Sequence, residues 1–279
     1  MNKTNLLIAG LIVLLILVGV AIYKQKSTQT EVVTQEPPVP SAPAEPVKVP
    51  IVHYPVAEPN LPKDVSTEQP QEPLKEAVKL KLPTALPSID HSDASLQETL
   101  QSLSETKPFM HLLVMDHFIP KLVVTIDNLP SKKLPQAHLP LKTPKGRFQV
   151  SGTLEAPQTS RQNQKRYVAY VKLLESLEPE LIITVYRYYY PLFQEAYKQL
   201  GYRNAYFNDR LIQVLDHLQE TPNPTEPLTL SQPAVLYTFA DPSLEKLSSG
   251  QKILLRMGPD NRQRTLKVLA RYRQLLVSQ

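Results

Sequence analysis

Thirteen prolines and no glycine lie between Pro37 and Pro87, and no other feature restricts so strongly what this chain can fold into. Each proline fixes its own φ, withdraws a backbone donor and pushes the preceding residue toward extended conformations, so helix is excluded and polyproline II is favoured. Residues 27–87 therefore read as a disordered, semi-rigid Pro-rich linker. The roughly 62 residues between Lys26 and Ser88 would span about 190 Å as continuous polyproline II and about 45 Å as a flexible coil. Pro40-Ser41-Ala42-Pro43 has the spacing of an SH3-type ligand, although a spacer with no dedicated partner is the simpler reading.

Ahead of the linker runs "LLIAGLIVLLILVGVAIY", Leu6 to Tyr23, with no charged residue inside it. Such a stretch is long enough to cross a hydrocarbon core of about 30 Å. Gly19-Val20-Ala21 offers a small-x-small site, so a cleaved signal peptide is the rival. The run exceeds the usual signal-peptide core, and Lys24 and Lys26 follow at once as an interfacial stop, which favours an uncleaved transmembrane anchor over residues 1–26. Lys3 and the amino terminus balance Lys24 and Lys26, so orientation is decided only by the habit of N-terminal signal-anchors to send the long remainder outside.

Residues 88–279 are left to form one domain of ordinary size. The net charge of +5 belongs to it, because the first 89 residues carry eight basic and eight acidic side chains. The pattern is mainly helical. Leu96, Leu100 and Leu103 repeat at helical spacing behind Ser92, a candidate N-cap. "KPFMHLLVMDHFIPKLVVTIDNLP" places Pro108 where a first helical turn suits it, and Pro120 where it kinks one helix or separates two. The β-branched run Val123 to Ile126 leaves a strand open. "GRFQVSGTL" and "AVLYTF" are the strand candidates, enough for one small two-stranded element. The remaining segments, from "QNQKRYVAYVKLLESL" to "PDNRQRTLKVLARYRQLLVSQ", read as helices, with Gly201 as a C′ residue, Asn208 as a cap and Gly258-Pro259 as a break.

Seven of the thirteen tyrosines fall between Tyr186 and Tyr206. On a helical wheel Leu181, Val185, Tyr189, Leu192, Ala196 and Leu200 make one stripe, and Tyr186, Tyr190, Phe193 and Tyr197 a second beside it. A helix apolar over so much of its circumference is normally surrounded by others, so these rings read as core, their hydroxyls seeking partners such as Arg203, Asp209 and Arg210. The alternative is an aromatic platform for a sugar or an extended ligand, with Pro191 opening a pocket by a kink. Its candidate binding residues are Tyr186, Tyr190, Tyr197, Tyr206, Asp209 and Arg210.

Recognisable catalytic chemistry is missing. Seven glycines, two of them in the apolar run, leave no material for a phosphate-cradling loop, and neither dinucleotide nor P-loop fingerprints occur, nor HExxH, GxSxG or an EF-hand. No cofactor is expected. With no cysteine there is no disulfide and no thiolate site. His111 and His117 with Asp116, and His217 beside Asp216, lack the i, i+4 spacing of helical metal ligands, so no metal is expected. Asp209 opens a helix, where a carboxylate complements the dipole; as a catalytic acid it would need a second carboxylate, for which Glu195 is the nearby nominee. Arg262, Arg264, Lys267, Arg271 and Arg273 crowd the last helix and read as a solvated face, or else as a contact for an anionic surface. Nothing points to nucleic acid.

The strings "LPSIDHSDA", "VTIDNLP", "GRFQV", "YPLFQEAYKQLGY", "YFNDRLIQVLDHL" and "LYTFADPSLEKLSSGQKILLRMGP" together resemble the bacterial domain-of-unknown-function family numbered 3014, over most of residues 86–276. The resemblance implies a membrane-anchored Gram-negative protein with a variable linker and carries over no catalytic residue. The expectation is a non-enzymatic, inner-membrane-tethered interaction domain facing the periplasm, with residues 6–23 in the membrane and an envelope protein as partner. A cell-wall or glycan-acting enzyme near Tyr190, Glu195 and Asp209 is the alternative from another class.

Overall fold

A computed structural model describes residues 53–56, 80–103 and 108–278. The apolar run 6–23 and most of the linker lie outside the described residues, and among the described residues no helix is long and apolar enough to cross a membrane.

The domain is mainly helical, and its helices begin where local chemistry starts them. Helix α1, Ser92–Ser102, buries Leu96 and Leu100, with Leu103 just beyond its end. Ser92 is not its side-chain cap; the hydroxyl donates back to the carbonyl of Ile89 in the preceding 3-10 turn at 2.7 Å. Its neighbour Asp93 does the capping, but for another helix. The Asp93 carboxylate accepts from the backbone N–H groups of His117 at 2.6 Å and Phe118 at 2.9 Å, satisfying two donors at the start of α2, Phe118–Asn128. Pro108 lies in a turn before a short 3-10 segment, Met110–Leu112. Pro120 falls in the first turn of α2, where the missing N–H costs nothing, and Val123 to Ile126 continue as helix rather than strand. Burial explains the outcome: Ile119, Leu122, Val123 and Ile126 all enter the core, which a helical face allows and an alternating strand would not.

Two small hairpins follow rather than one. Strands β1, Val150–Gly152, and β2, Pro157–Thr159, pair antiparallel, as do β3, Leu230–Ser231, and β4, Thr238–Phe239. A bridge between Gln158 and Thr229 joins them. Beneath lies a minor core of Leu228, Leu230, Phe239, Leu244 and Leu255. The shortness of β3 and β4 hid their pairing, because Leu230 and Ser231 sit inside a proline-broken stretch with no alternation to read.

The segment read as one helix after Gln162 is two, α3, Arg161–Lys165, and α4, Val168–Glu175. Then come α5, Pro179–Gln199, and α6, Phe207–Gln219. The C-terminal part comprises α7, Pro242–Glu245, α8, Ser249–Arg256, and α9, Pro259–Val277. Ser248 and Gln251 form a capping box at α8. The main core gathers side chains from α1, α2, α4, α5, α6, α8 and α9. Helix α5 runs through it: Ile182, Val185, Tyr186, Tyr189 and Phe193 are all at most 1% exposed. Pro191 sits on the solvent side, and the helix continues through it. Leu200, at the end of the first stripe, is exposed, and Gly201 follows with φ 104° as the left-handed terminator.

Two pieces of the segment expected to be linker lie against this domain. In residues 80–87, the Lys81 N–H donates to Ser102 Oγ at 3.0 Å and the Pro83 carbonyl accepts from the Tyr188 hydroxyl at 2.7 Å. The second piece, His53 to Val56, is the more consequential.

Candidate functional site

Helix α6 starts without a side-chain cap of its own. Its first donor is taken by α5 instead: Gln194 Oε1 accepts from the Phe207 N–H at 2.9 Å and from the Tyr190 hydroxyl at 3.0 Å, while its amide donates to the Ala205 carbonyl at 2.8 Å. One glutamine thus locks the α5–α6 turn and releases Asn208 and Asp209 from capping. Asn208 is not the cap the sequence suggests. Its Oδ1 accepts from the buried Tyr186 hydroxyl at 3.1 Å, and its NH₂ group is directed at the linker.

That NH₂ group donates to the Tyr54 carbonyl at 2.9 Å, and Asp209 Oδ1 accepts from the Tyr54 N–H at 2.8 Å. Both backbone groups of one residue, more than 150 positions away in sequence, are therefore held by two adjacent side chains. The other carboxylate oxygen accepts from His53 Nδ1–H at 3.0 Å, and the His53 ring lies on Tyr206 with centroids 3.9 Å apart. Tyr54 and Val56 turn partly inward onto the main core, whereas His53 and Pro55 face out. An alternation of period two is the burial pattern of a strand laid on a surface. Asp209 itself is 4% exposed, in the first turn of α6, where the helix dipole favours its negative charge.

The six candidate binding residues fall into two groups. Tyr186, Tyr190, Tyr206 and Asp209 gather at this end of α6. Burial pushes the Tyr190 hydroxyl up to about 12 and raises Tyr186 well above its ordinary range, with the nearby Asp209 charge acting in the same direction. These phenols stay neutral and serve as packing and as props. Tyr197 and Arg210 belong elsewhere. Arg210 donates from Nε to Asp127 Oδ1 at 2.8 Å and from Nη2 to the Asp127 carbonyl at 2.7 Å, while Tyr202 reaches Asp127 Oδ2 at 3.2 Å and stacks on Tyr197 with centroids 4.5 Å apart. That cluster ties α6 to the end of α2. The hydroxyl partners expected from Arg203, Asp209 and Arg210 are replaced by Asn208 for Tyr186, Gln194 for Tyr190 and Ser95 with Thr99 for Tyr189.

Glu195 is exposed on α5 and accepts from Gln199, while both Asp209 oxygens are engaged by the linker. The basic helix is largely neutralised within the chain. Arg264 pairs with Glu175 and Asp260, Arg271 with Glu180 and Arg273 with Asp216; Arg262 is 2% exposed and faces Asn223 and Glu226. Of the five, Lys267 alone lacks an ion-pair partner among the described residues and stands exposed.

The sequence reading missed His53, Tyr54 and the true role of Asn208. A signal was present: His53 and Tyr54 are the only aromatic or imidazole side chains between residues 27 and 87. Rings are out of place in a purely solvated spacer. The family described as "Protein of unknown function (DUF3014)" matches the chain over residues 118–273, which includes the α6 end of the site and excludes the docked linker piece. No curated protein and no solved structure matches the chain.

Proposed function

The chain belongs to the DUF3014 family, and from the geometry at the start of α6 we propose that it is a non-enzymatic interaction domain that grips extended polypeptide there. One observation carries this reading: Asn208 and Asp209 spend their polar groups on the backbone of a chain segment, which is how a domain binds polypeptide and not how it performs acid–base chemistry. Residues 6–23 act as the membrane anchor, the linker sets the working distance, and the domain faces the periplasm, where an envelope protein is the partner. The apolar run and the lysines that follow it support the anchor, and the habit of N-terminal signal-anchors to send the long remainder outside, with the likeness to the family, supports the periplasmic side.

Two measurements test it. A photo-crosslinking residue at exposed Asn204, two positions before Tyr206, gives in intact cells one reproducible protein adduct that disappears in the Asp209→Ala chain; adduct patterns identical in both chains would sink the interaction reading. An alkaline-phosphatase fusion at the C-terminus is active if the domain faces the periplasm. An inactive fusion on a stably expressed chain removes the compartment.

A further inference from the structure

The α6 end is already occupied, and its occupant describes what the site selects. We infer that His53-Tyr54-Pro55-Val56 is an internal ligand, and that the site takes an extended peptide of the pattern ring–X–Pro–aliphatic, which a partner segment of the same chemistry must displace. This rests on the reading of the site as a polypeptide grip.

Each position of the pattern has a physical reason. Proline at the third position confines the residue before it to extended conformations. Tyr54 is thereby set with N–H and carbonyl projecting for Asp209 and Asn208, which meet them at 2.8 and 2.9 Å. Less conformational entropy is lost on docking than with a freer residue. The first position presents a flat ring to Tyr206, and in His53 that ring adds a donor to the second Asp209 oxygen. The aliphatic fourth position, Val56, joins the partly buried residues that pack on the main core. At the second position the recognised groups are main-chain atoms, so the site reads the backbone there while the side chain supplies apolar contact. The Tyr186 hydroxyl bonds the Asn208 amide oxygen from the far side and leaves the NH₂ group to the Tyr54 carbonyl, which can only accept. The grip is preorganised, and a tethered occupant at high effective concentration would outcompete all but well-matched segments.

The test uses the full chain in detergent and a fluorescent synthetic peptide covering residues 49–58. In one variant residues 53–56 are replaced by Gly-Ser-Gly-Ser, which empties the site without shortening the linker. The peptide is expected to bind that variant saturably and the native chain at least tenfold more weakly, because the native site is filled. A peptide carrying N-methyl-tyrosine at position 54 lacks the donor that Asp209 accepts, and is expected to lose at least tenfold; this arm needs no change to the protein fold. Saturable binding absent from the emptied chain, equal binding to both chains, or an N-methyl peptide that binds undiminished would each overturn the inference. The outcome separates from that of the crosslinking experiment. A bound peptide without a cellular adduct leaves an intrachain latch and removes the partner, whereas an Asp209-dependent adduct with no peptide binding keeps the interaction domain and removes this ligand class.

Discussion

At the scale of single residues, the site depends on groups that look structural. Tyr186 is 1% exposed, and its hydroxyl bonds the Asn208 amide that in turn reaches Tyr54. Tyr186→Phe strands Asn208 Oδ1 in a buried setting, and the expected cost is about 1–3 kcal/mol, read from the urea midpoint at unchanged slope. An undisturbed midpoint would mean that the amide finds another donor. His217 gives a second residue-level expectation. Burial, with a smaller push from Arg210 and against the opposing charge of Glu220, holds its imidazole below the ordinary value of 6.5, while Nε2 meets Ser248 Oγ at 2.9 Å. The unfolded chain therefore binds more protons than the folded one just below pH 6.5, so stability falls as pH drops from about 6.5 through the folded-state value. Urea midpoints at pH 7.5 and 5.5 should show this fall, and His217→Gln should reduce it.

Among elements, the long helices were legible and their connections were not. Helices α5, α6 and α9 appear where apolar periodicity places them, because each buries one or more faces over at least three turns. Ser92 and Asn208 misled because both are good cap formers whose side chains are engaged otherwise, Ser92 by the Ile89 carbonyl and Asn208 by Tyr186 and Tyr54, and only the fold reveals that Gln194 satisfies the start of α6 and Asp93 that of α2. The Gly258-Pro259 break was readable for a physical reason. Gly258 has φ 86°, and a Cβ there would run into the Gln164 side chain, so α8 and α9 can turn against α3 only through glycine. Gly258→Ala is expected to cost about 1–3 kcal/mol through backbone strain and overpacking together, checked by thermal unfolding. The basic residues of α9 show the opposite lesson: as a list they suggest an anionic surface, but Glu175, Glu180 and Asp216 on α4, α5 and α6 were waiting for them.

For the molecule as a whole, the tyrosine-rich stretch is mostly interior, and that has a spectroscopic consequence. Burial pushes Tyr170 and Tyr190 up to about 12 and raises Tyr167, Tyr186 and Tyr272 as well. Their folded-state values exceed the unfolded value near 10, so the stability they lend is intact below about pH 10 and is lost as pH rises beyond it. Ultraviolet titration should count fewer tyrosinates than the thirteen tyrosines present until the chain unfolds in alkali. Ionisation of all thirteen near pH 10 without unfolding would place them outside the core. Domain and linker, separate in the sequence, meet at α6, and on that meeting the functional account stands. The most direct test is amide hydrogen exchange at Tyr54 in the native and Asp209→Ala chains. The account predicts a protected Tyr54 N–H in the native chain, released to the free-chain rate by the substitution while the core of α5 stays protected. Free-chain exchange at Tyr54 in the native protein would contradict it.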